Sequence, residues 1–200
     1  KDLDKVAGEL SKKRKTVSKT LSKTIESELS DLSMPDTRFV VEFTVSEPSS
    51  DGIDRAQFVF SPNPGEDLKP FNKIASGGEL SRVLLAIRRT IADRGGIGVY
   101  LFDEIDSGIG GATASIVGKK IASVSKFNQI ICITHLPQVA AFAASHFHVT
   151  KKVTDGRTQS QITLLDGKTR VDEMARMLGG LNVTEKSRGH ARDLLKDAVV

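Results

Sequence analysis

Asp103 and Glu104 are the residues best placed to do chemistry. They follow Val99, Tyr100, Leu101 and Phe102, an unbroken apolar run that suits a strand buried on both faces of a mainly parallel sheet. An unpartnered ionised carboxylate inside such a strand costs several kcal/mol, so the two acids belong where the strand emerges, at its carboxyl end. That edge is where open α/β sheets bind ligands. One carboxylate there can hold Mg²⁺ through its water shell, while its neighbour orients a water for attack on a phosphate. The alternative is a plain strand end whose solvated acids lead into a turn at Ser107-Gly108.

A second group lies upstream, at Ser76-Gly77-Gly78-Glu79. Ser76 with Glu79 three residues on is a capping box, and Leu80, Leu84, Ile87 and Ile91 then supply the inward face of a helix. Two glycines at a helix start let backbone N–H groups approach an anion closely at the positive end of the helix dipole, with the Ser76 hydroxyl as an extra donor. An ordinary capped helix is the competing reading. A third candidate is His135, which ends the apolar stretch Gln129 to Thr134. In a parallel crossover it lies on the same edge as Asp103 and Glu104, where an imidazole can help position a γ-phosphate and the attacking water. A hydrogen-bonded structural histidine is the alternative, and no second His or Cys has zinc-site spacing. The only Gly-Lys-Thr, Gly167 to Thr169, has Ile162 where a P-loop needs its first glycine, so nothing in the chain cradles a β-phosphate.

The elements that must position these groups begin with a long polar helix. Leu3, Val6, Leu10, Val17, Leu21, Ile25, Leu29 and Leu32 form one narrow apolar stripe, which wants a partner helix from outside this chain, as in half of an antiparallel coiled coil. Lys12, Lys13, Arg14, Lys15, Lys19 and Lys23 make it basic, either as a solvated face or as a contact to DNA phosphates. Met34-Pro35 stops it. Alternation at Phe39, Val41, Phe43 and Val45, then at Ala56, Phe58 and Phe60, predicts an antiparallel pair around the Pro48 to Gly52 loop, supporting the sheet. A loop over Ser61 to Lys69 follows. Helices are expected over roughly Ala112 to Val124, Val171 to Leu178 and Thr184 to Leu195, with a hairpin whose strands, His146 to Lys151 and Thr158 to Leu165, flank Asp155-Gly156. His146, His148 and His190 read as structural.

Composition narrows the class. The chain has 200 residues, 38% of them hydrophobic, enough to bury a real core. A net charge of +4, from 29 basic and 25 acidic side chains, permits nucleic-acid binding without showing it. Cys132, the single cysteine, sits in an apolar run and reads as a buried, reduced thiol, which suits the cytosol. No apolar run approaches the ~20 residues that span a bilayer, and no signal peptide is visible. A first residue of Lys1 suggests an excised fragment.

These motifs, in this order, resemble those of ABC-type ATPases. Ser76 to Glu79 is similar to the signature motif, Val99 to Glu104 to Walker B, Ser107 to Gly110 to the D-loop, and His135 to the switch histidine. Within that superfamily, Phe71 to Arg82, Asp103 to Gly111 and Ile133 to Ala141 resemble the bacterial DNA-repair ATPases related to structural maintenance of chromosomes (SMC) proteins. The resemblance implies an α/β fold: the C-terminal half of an ABC/SMC-type ATPase head over 34–200, with a mainly parallel sheet, flanking helices and antiparallel strands. Residues 1–33 would be the end of a coiled-coil arm. It implies ATP and Mg²⁺ as cofactors, Asp103 on the metal, Glu104 and His135 as catalytic residues, Ser107 and Gly108 in the D-loop, and Walker A on an N-terminal half of the same protein. Two heads would sandwich two ATPs, so that Ser76, Gly77, Gly78 and Glu79 serve the nucleotide of the other subunit. DNA would be the further partner, in a cytoplasmic, nucleoid-associated setting without a membrane. Gly110 departs from the broader pattern, where the D-loop has Asp, and takes no role. A transporter nucleotide-binding domain and a non-catalytic dimerisation module are the other classes, the former placing Walker A in one continuous domain and the latter having no need of Glu104 or His135.

Overall fold

The structure, a computed structural model, describes residues 2–73, 76–91, 98–154, 156–180 and 182–198. The chain divides into two compact units, 1–97 with 103–105 and 98–102 with 106–200.

In the first unit, helix α1 (Asp2–Ser30) lies against a hairpin of β1 (Arg38–Ser49) and β2 (Gly52–Ser61) and against helix α2 (Gly77–Thr90). A left-handed Ser33 (φ 61°) and the Met34 N–H bonded to Leu29 O turn the chain just before Pro35. The apolar stripe of α1 divides into two parts. Ile25, Leu29 and Leu32 are fully buried within this unit, so that half needs no partner from outside. Leu3, Val6, Leu10 and Val17 remain exposed, Leu10 and Val17 lying only at the edge of the contact with the hairpin. There Ser11 Oγ donates to Asp54 Oδ1 at 3.0 Å and Arg14 Nη1 to Asp51 O at 2.7 Å. A seven-residue repeat drifts around a straight 3.6-residue helix, so one stripe cannot face one neighbour along 29 residues.

The hairpin pairs Phe39 with Phe60 through Val45 with Asp54, and β3 (Lys69–Pro70) adds a short third strand. These strands form their own antiparallel sheet instead of extending the parallel one, burying Phe39, Val59 and Phe60. Strand β1 runs through Pro48 to Ser49, so the connection is shorter than the expected loop. Phe71, in a 3-10 turn over Phe71–Lys73, packs its ring 5.6 Å from Phe60 and 6.1 Å from Phe39. Such ring pairs add about 0.5–1.5 kcal/mol each beyond area burial, and they fix the 3-10 turn against the hairpin. Helix α2 buries Gly78, Arg82, Val83, Leu85 and Ala86, while Leu80 is exposed and Leu84, Ile87 and Ile91 are half-buried. The covered sector is rotated from the expected one because α1 packs beside it, with Arg89 paired to Glu28.

The second unit is built on two parallel strands, β4 (Val99–Phe102) and β5 (Gln129–Cys132), in register from Val99 with Gln129 to Phe102 with Cys132. Helix α3 (Gly111–Ser125) is the crossover, burying Ala114, Val117, Ile121 and Val124. Burial on both faces of β4 is not observed. Tyr100 and Phe102 are buried, but Val99, Leu101, Ile131 and Ile133 are exposed. Cys132 is correspondingly half-buried. Pro137 opens the short helix α4 (Pro137–Ala140). Strands β6 (Phe147–Thr154) and β7 (Arg157–Leu164) form the expected hairpin, whose Asp155 lies outside the described residues.

Helix α5 (Gly167–Gly179) begins four residues before Val171, because Asp166 and Thr169 form a capping box around the Gly-Lys-Thr tripeptide. That sequence is a helix start. Helix α6 (Glu185–Asp197) is capped by Thr184 in the same way. Met174, Ala175 and Ala191 join Ala140 and Ala141 in a small-residue core, and Arg170 Nη2 donates to the carbonyls of Ala140, Ala141 and Ala143. Two of the histidines read as structural have neighbours that sequence spacing does not show. His148 Nε2 lies 3.7 Å from Glu173 Oε1, and burial, with Arg170 nearby, pushes the His146 pKa down.

Candidate active site

The signature-like segment and the two acids meet in the first unit. Ser76, in extended conformation, caps α2, its hydroxyl accepting from the Glu79 N–H at 3.4 Å. From the next turn of α2, Ser81 Oγ donates to Asp103 O at 2.8 Å and Arg82 Nη1 approaches Ile105 O at 3.4 Å. The helix thereby holds the loop 103–105 by its main chain and leaves the two carboxylates exposed. Burial lowers the Arg82 pKa and the Glu79 carboxylate raises it. Neither Ser81 nor Arg82 was a candidate from sequence. Their i+5 and i+6 spacing from Ser76 carries no signal until α2 is laid against the loop.

Glu104 has φ 55°, in the left-handed region that costs a side-chain-bearing residue about 1–2 kcal/mol. The Asp103 side chain helps to hold it there, Oδ1 accepting the Glu104 N–H at 2.9 Å. Such strain persists only where surrounding contacts impose it, and it concentrates at functional sites. Here it turns the Glu104 carboxylate onto the start of α2. A Cβ on Gly77 would lie 2.8 Å from Glu104 Oε2, so a larger residue would push the carboxylate off this position. The positive helix end favours it.

His135 follows β5 in the second unit, and 75% of its side chain is exposed. Its Nδ1 lies 3.2 Å from Oδ2 of buried Asp106, which also accepts from the His135 N–H at 3.0 Å and from the Thr134 hydroxyl. Ser107 and Gly108 continue from Asp106 in a turn closed by the Ile109 N–H to Asp106 O at 3.4 Å, with Gly108 at φ 73°. Among the described residues, no cluster of three or more His, Cys, Asp or Glu could hold a metal unaided. Asp103 offers one exposed carboxylate, the kind of donor that Mg²⁺ takes alongside waters and phosphate oxygens.

No protein-family model matches the chain. It is 40% identical to the DNA repair protein RecN of Bacillus subtilis (strain 168) over 214 residues, covering 99% of this chain and 37% of that protein. It is 41% identical to the RecN of Deinococcus radiodurans over 198 residues, covering 97% of this chain and 34% of that one. The chain thus spans about a third of the length of the curated relatives it matches. Among solved structures, it resembles an Smc head domain from Pyrococcus furiosus, with an extended coiled coil and bound to the C-terminal domain of ScpA, at 26% identity and a TM-score of 0.51, over 74% of this chain and 35% of that one. An Smc head with coiled coil and joint from Pyrococcus yayanosii shares the fold at 24% identity and a TM-score of 0.54, over 84% of this chain and 31% of that one. At 37–41% identity along nearly all of its length, this chain is thus similar to one segment of the RecN proteins, and it shares the fold of SMC heads.

Proposed function

We propose that this chain is the C-terminal half of the ATPase head of an SMC-like DNA-repair protein, 1–33 being the end of its coiled-coil arm and 34–200 the head. The observation that carries this reading is the open face of the parallel strands. Val99, Leu101, Ile131 and Ile133 are 47–60% exposed side by side, and the hairpin adds exposed Phe147 opposite Leu164 and Val149 opposite Ile162. Covering the first four alone is worth about 3–6 kcal/mol, at roughly half of a full side-chain burial each. Such faces suit a sheet completed by another segment, here the N-terminal half that would bring Walker A. A transporter domain or a purely structural module finds no support in the relatives, which are DNA repair proteins.

In the complete protein, Asp103 would hold Mg²⁺ through water, and Glu104 would orient and deprotonate the attacking water. His135 would contact the γ-phosphate side of the site. Bound Mg²⁺ supplies charge neutralisation on the phosphates. Ser76, Gly77, Gly78 and Glu79 would present the α2 N-terminus to ATP held by a second subunit, and the Glu104 carboxylate resting on Gly77 supports an anion's fit there. Ser107 and Gly108 would run along the seam between heads. DNA would bind the assembled protein in the cytoplasm, at the nucleoid. Among the described residues no helix is long and apolar enough to cross a membrane.

The test is co-expression with the N-terminal half. Alone, the chain should bind Mg-ATP no tighter than millimolar. The assembled protein should hydrolyse ATP, and Glu104→Gln should slow turnover about a hundredfold or more while ATP-bound dimers accumulate. Micromolar ATP affinity of the chain alone, or near-normal turnover in Glu104→Gln, would contradict the reading.

A further inference from the structure

Asp106, the third acid after β4, is almost fully buried, at 3% exposure. A buried carboxylate costs several kcal/mol unless donors compensate it. Among the described residues, two donors meet on one oxygen, Oδ2, the Thr134 hydroxyl and the His135 N–H at 3.0 Å, and the His135 ring brings Nδ1 to 3.2 Å from the same atom. Thr134 Oγ1 in turn accepts the Leu136 N–H at 3.0 Å, so the residues at and around His135 are anchored to the same carboxylate.

An acceptor beside Nδ1 decides where the ring proton sits. With the proton on Nδ1, the neutral imidazole keeps the Nε2 lone pair on its other edge, and the partner of one ring nitrogen sets what the other can do. The His135 side chain is 75% exposed, so its outer edge is open to a ligand. We propose that Asp106 is the positioning residue of the switch: it holds His135 as the Nδ1–H tautomer and fixes the ring plane, so that Nε2 is offered to the nucleotide and its attacking water. This rests on the reading of His135 as the switch histidine. It assigns the run Asp103-Glu104-Ile105-Asp106 three acids with separate tasks, namely metal, water and histidine.

The test uses the chain co-expressed with its N-terminal half and labelled with ¹⁵N-histidine. Two-bond ¹H–¹⁵N correlations report which ring nitrogen of His135 carries the proton. The expected result is Nδ1–H in the unaltered protein and loss of that preference in Asp106→Ala, with kcat at least tenfold lower and KM for Mg-ATP within twofold. Asp106→Asn, whose amide oxygen can accept the same donors, should restore most of both. Because Asp106→Ala removes the loop's anchor as well, Thr134→Val serves as the control: it deletes one donor and leaves the carboxylate beside the ring. Thr134→Val should keep the Nδ1–H tautomer and turnover within about threefold. An Nε2–H tautomer in the unaltered protein, or Thr134→Val as damaging as Asp106→Ala, would overturn the proposal. Unimpaired turnover in His135→Ala would overturn the switch reading itself, a failure that the tautomer measurement separates from a failure of the Asp106 geometry.

Discussion

Replacing Gly77 by alanine separates the stability of the α2 start from its function. Gly77 has no left-handed φ, so alanine fits the backbone, and glycine in a helix is worth about 0.5–1 kcal/mol less than alanine. Among the described residues, the new Cβ closely meets Glu104 Oε2, at 2.8 Å, the free end of a flexible side chain. Moving it to another rotamer costs about 0.5–1.5 kcal/mol. The two effects nearly cancel, so thermal unfolding should shift by no more than about 4 °C. Anion binding fares differently. A methyl group keeps an incoming phosphate back from the amides of the first turn and removes a charge-assisted hydrogen bond of about 1.5–3 kcal/mol, a factor of roughly 10–150 in ATP turnover. Melting followed by circular dichroism and a steady-state ATPase assay of the assembled protein measure both. Turnover within twofold of normal in a well-folded Gly77→Ala protein would refute the close approach, and a melting loss beyond about 8 °C would show that the Glu104 carboxylate is anchored rather than free to move.

Two further outcomes follow from packing and charge. At Gly118 an added Cβ would lie 2.5 Å from Phe142 Cδ2 and 3.1 Å from Gln138 O. Because the second is backbone, Gly118→Ala should destabilise by about 0.5–2 kcal/mol in denaturant titrations despite alanine's helix preference, whereas stabilisation would mean that α3 and α4 can separate freely. On α1, Arg14 bonds Asp51 O and Lys15 lies 3.9 Å from Asp54, so reversing those charges would also disturb the hairpin. Lys12, Lys19 and Lys23 are exposed on one face and make the cleaner test. Reversing all three should reduce the slope of log affinity against log salt by up to about three for duplex DNA if each meets a phosphate, and an unchanged slope would leave them as a solvated face.

Much of the site was legible because its signals are local. A capped helix start with paired glycines, an apolar run ending in acids and a proline after His135 are all read within ten residues, and each lies at the predicted element boundary. What was missed depends on contacts between elements distant in sequence. Ser81 and Arg82 matter only because α2 lies along the 103–105 loop, and Asp106 only because β5 returns beside β4 to bring Thr134 and His135 to it. The same limit applies to burial. Apolar Val99 and Leu101 predict a buried face that the structure leaves exposed, and on α1 the stripe alone could not show that Ile25 and Leu29 turn inward while Val6 and Val17 do not.

The central claim is that each ATP site is shared between two subunits, and mixing two inactive variants tests it most directly. Ser76→Ala and Glu104→Gln homodimers of the assembled protein should both be poor ATPases, since every site carries one defect. In a heterodimer, one site receives both defects and the other keeps the intact Glu104 of one chain with the intact Ser76 of its partner. Turnover should then recover on mixing, to about half of normal per heterodimer if the sites act independently. No recovery, with heterodimers verified by mass, would contradict a shared site.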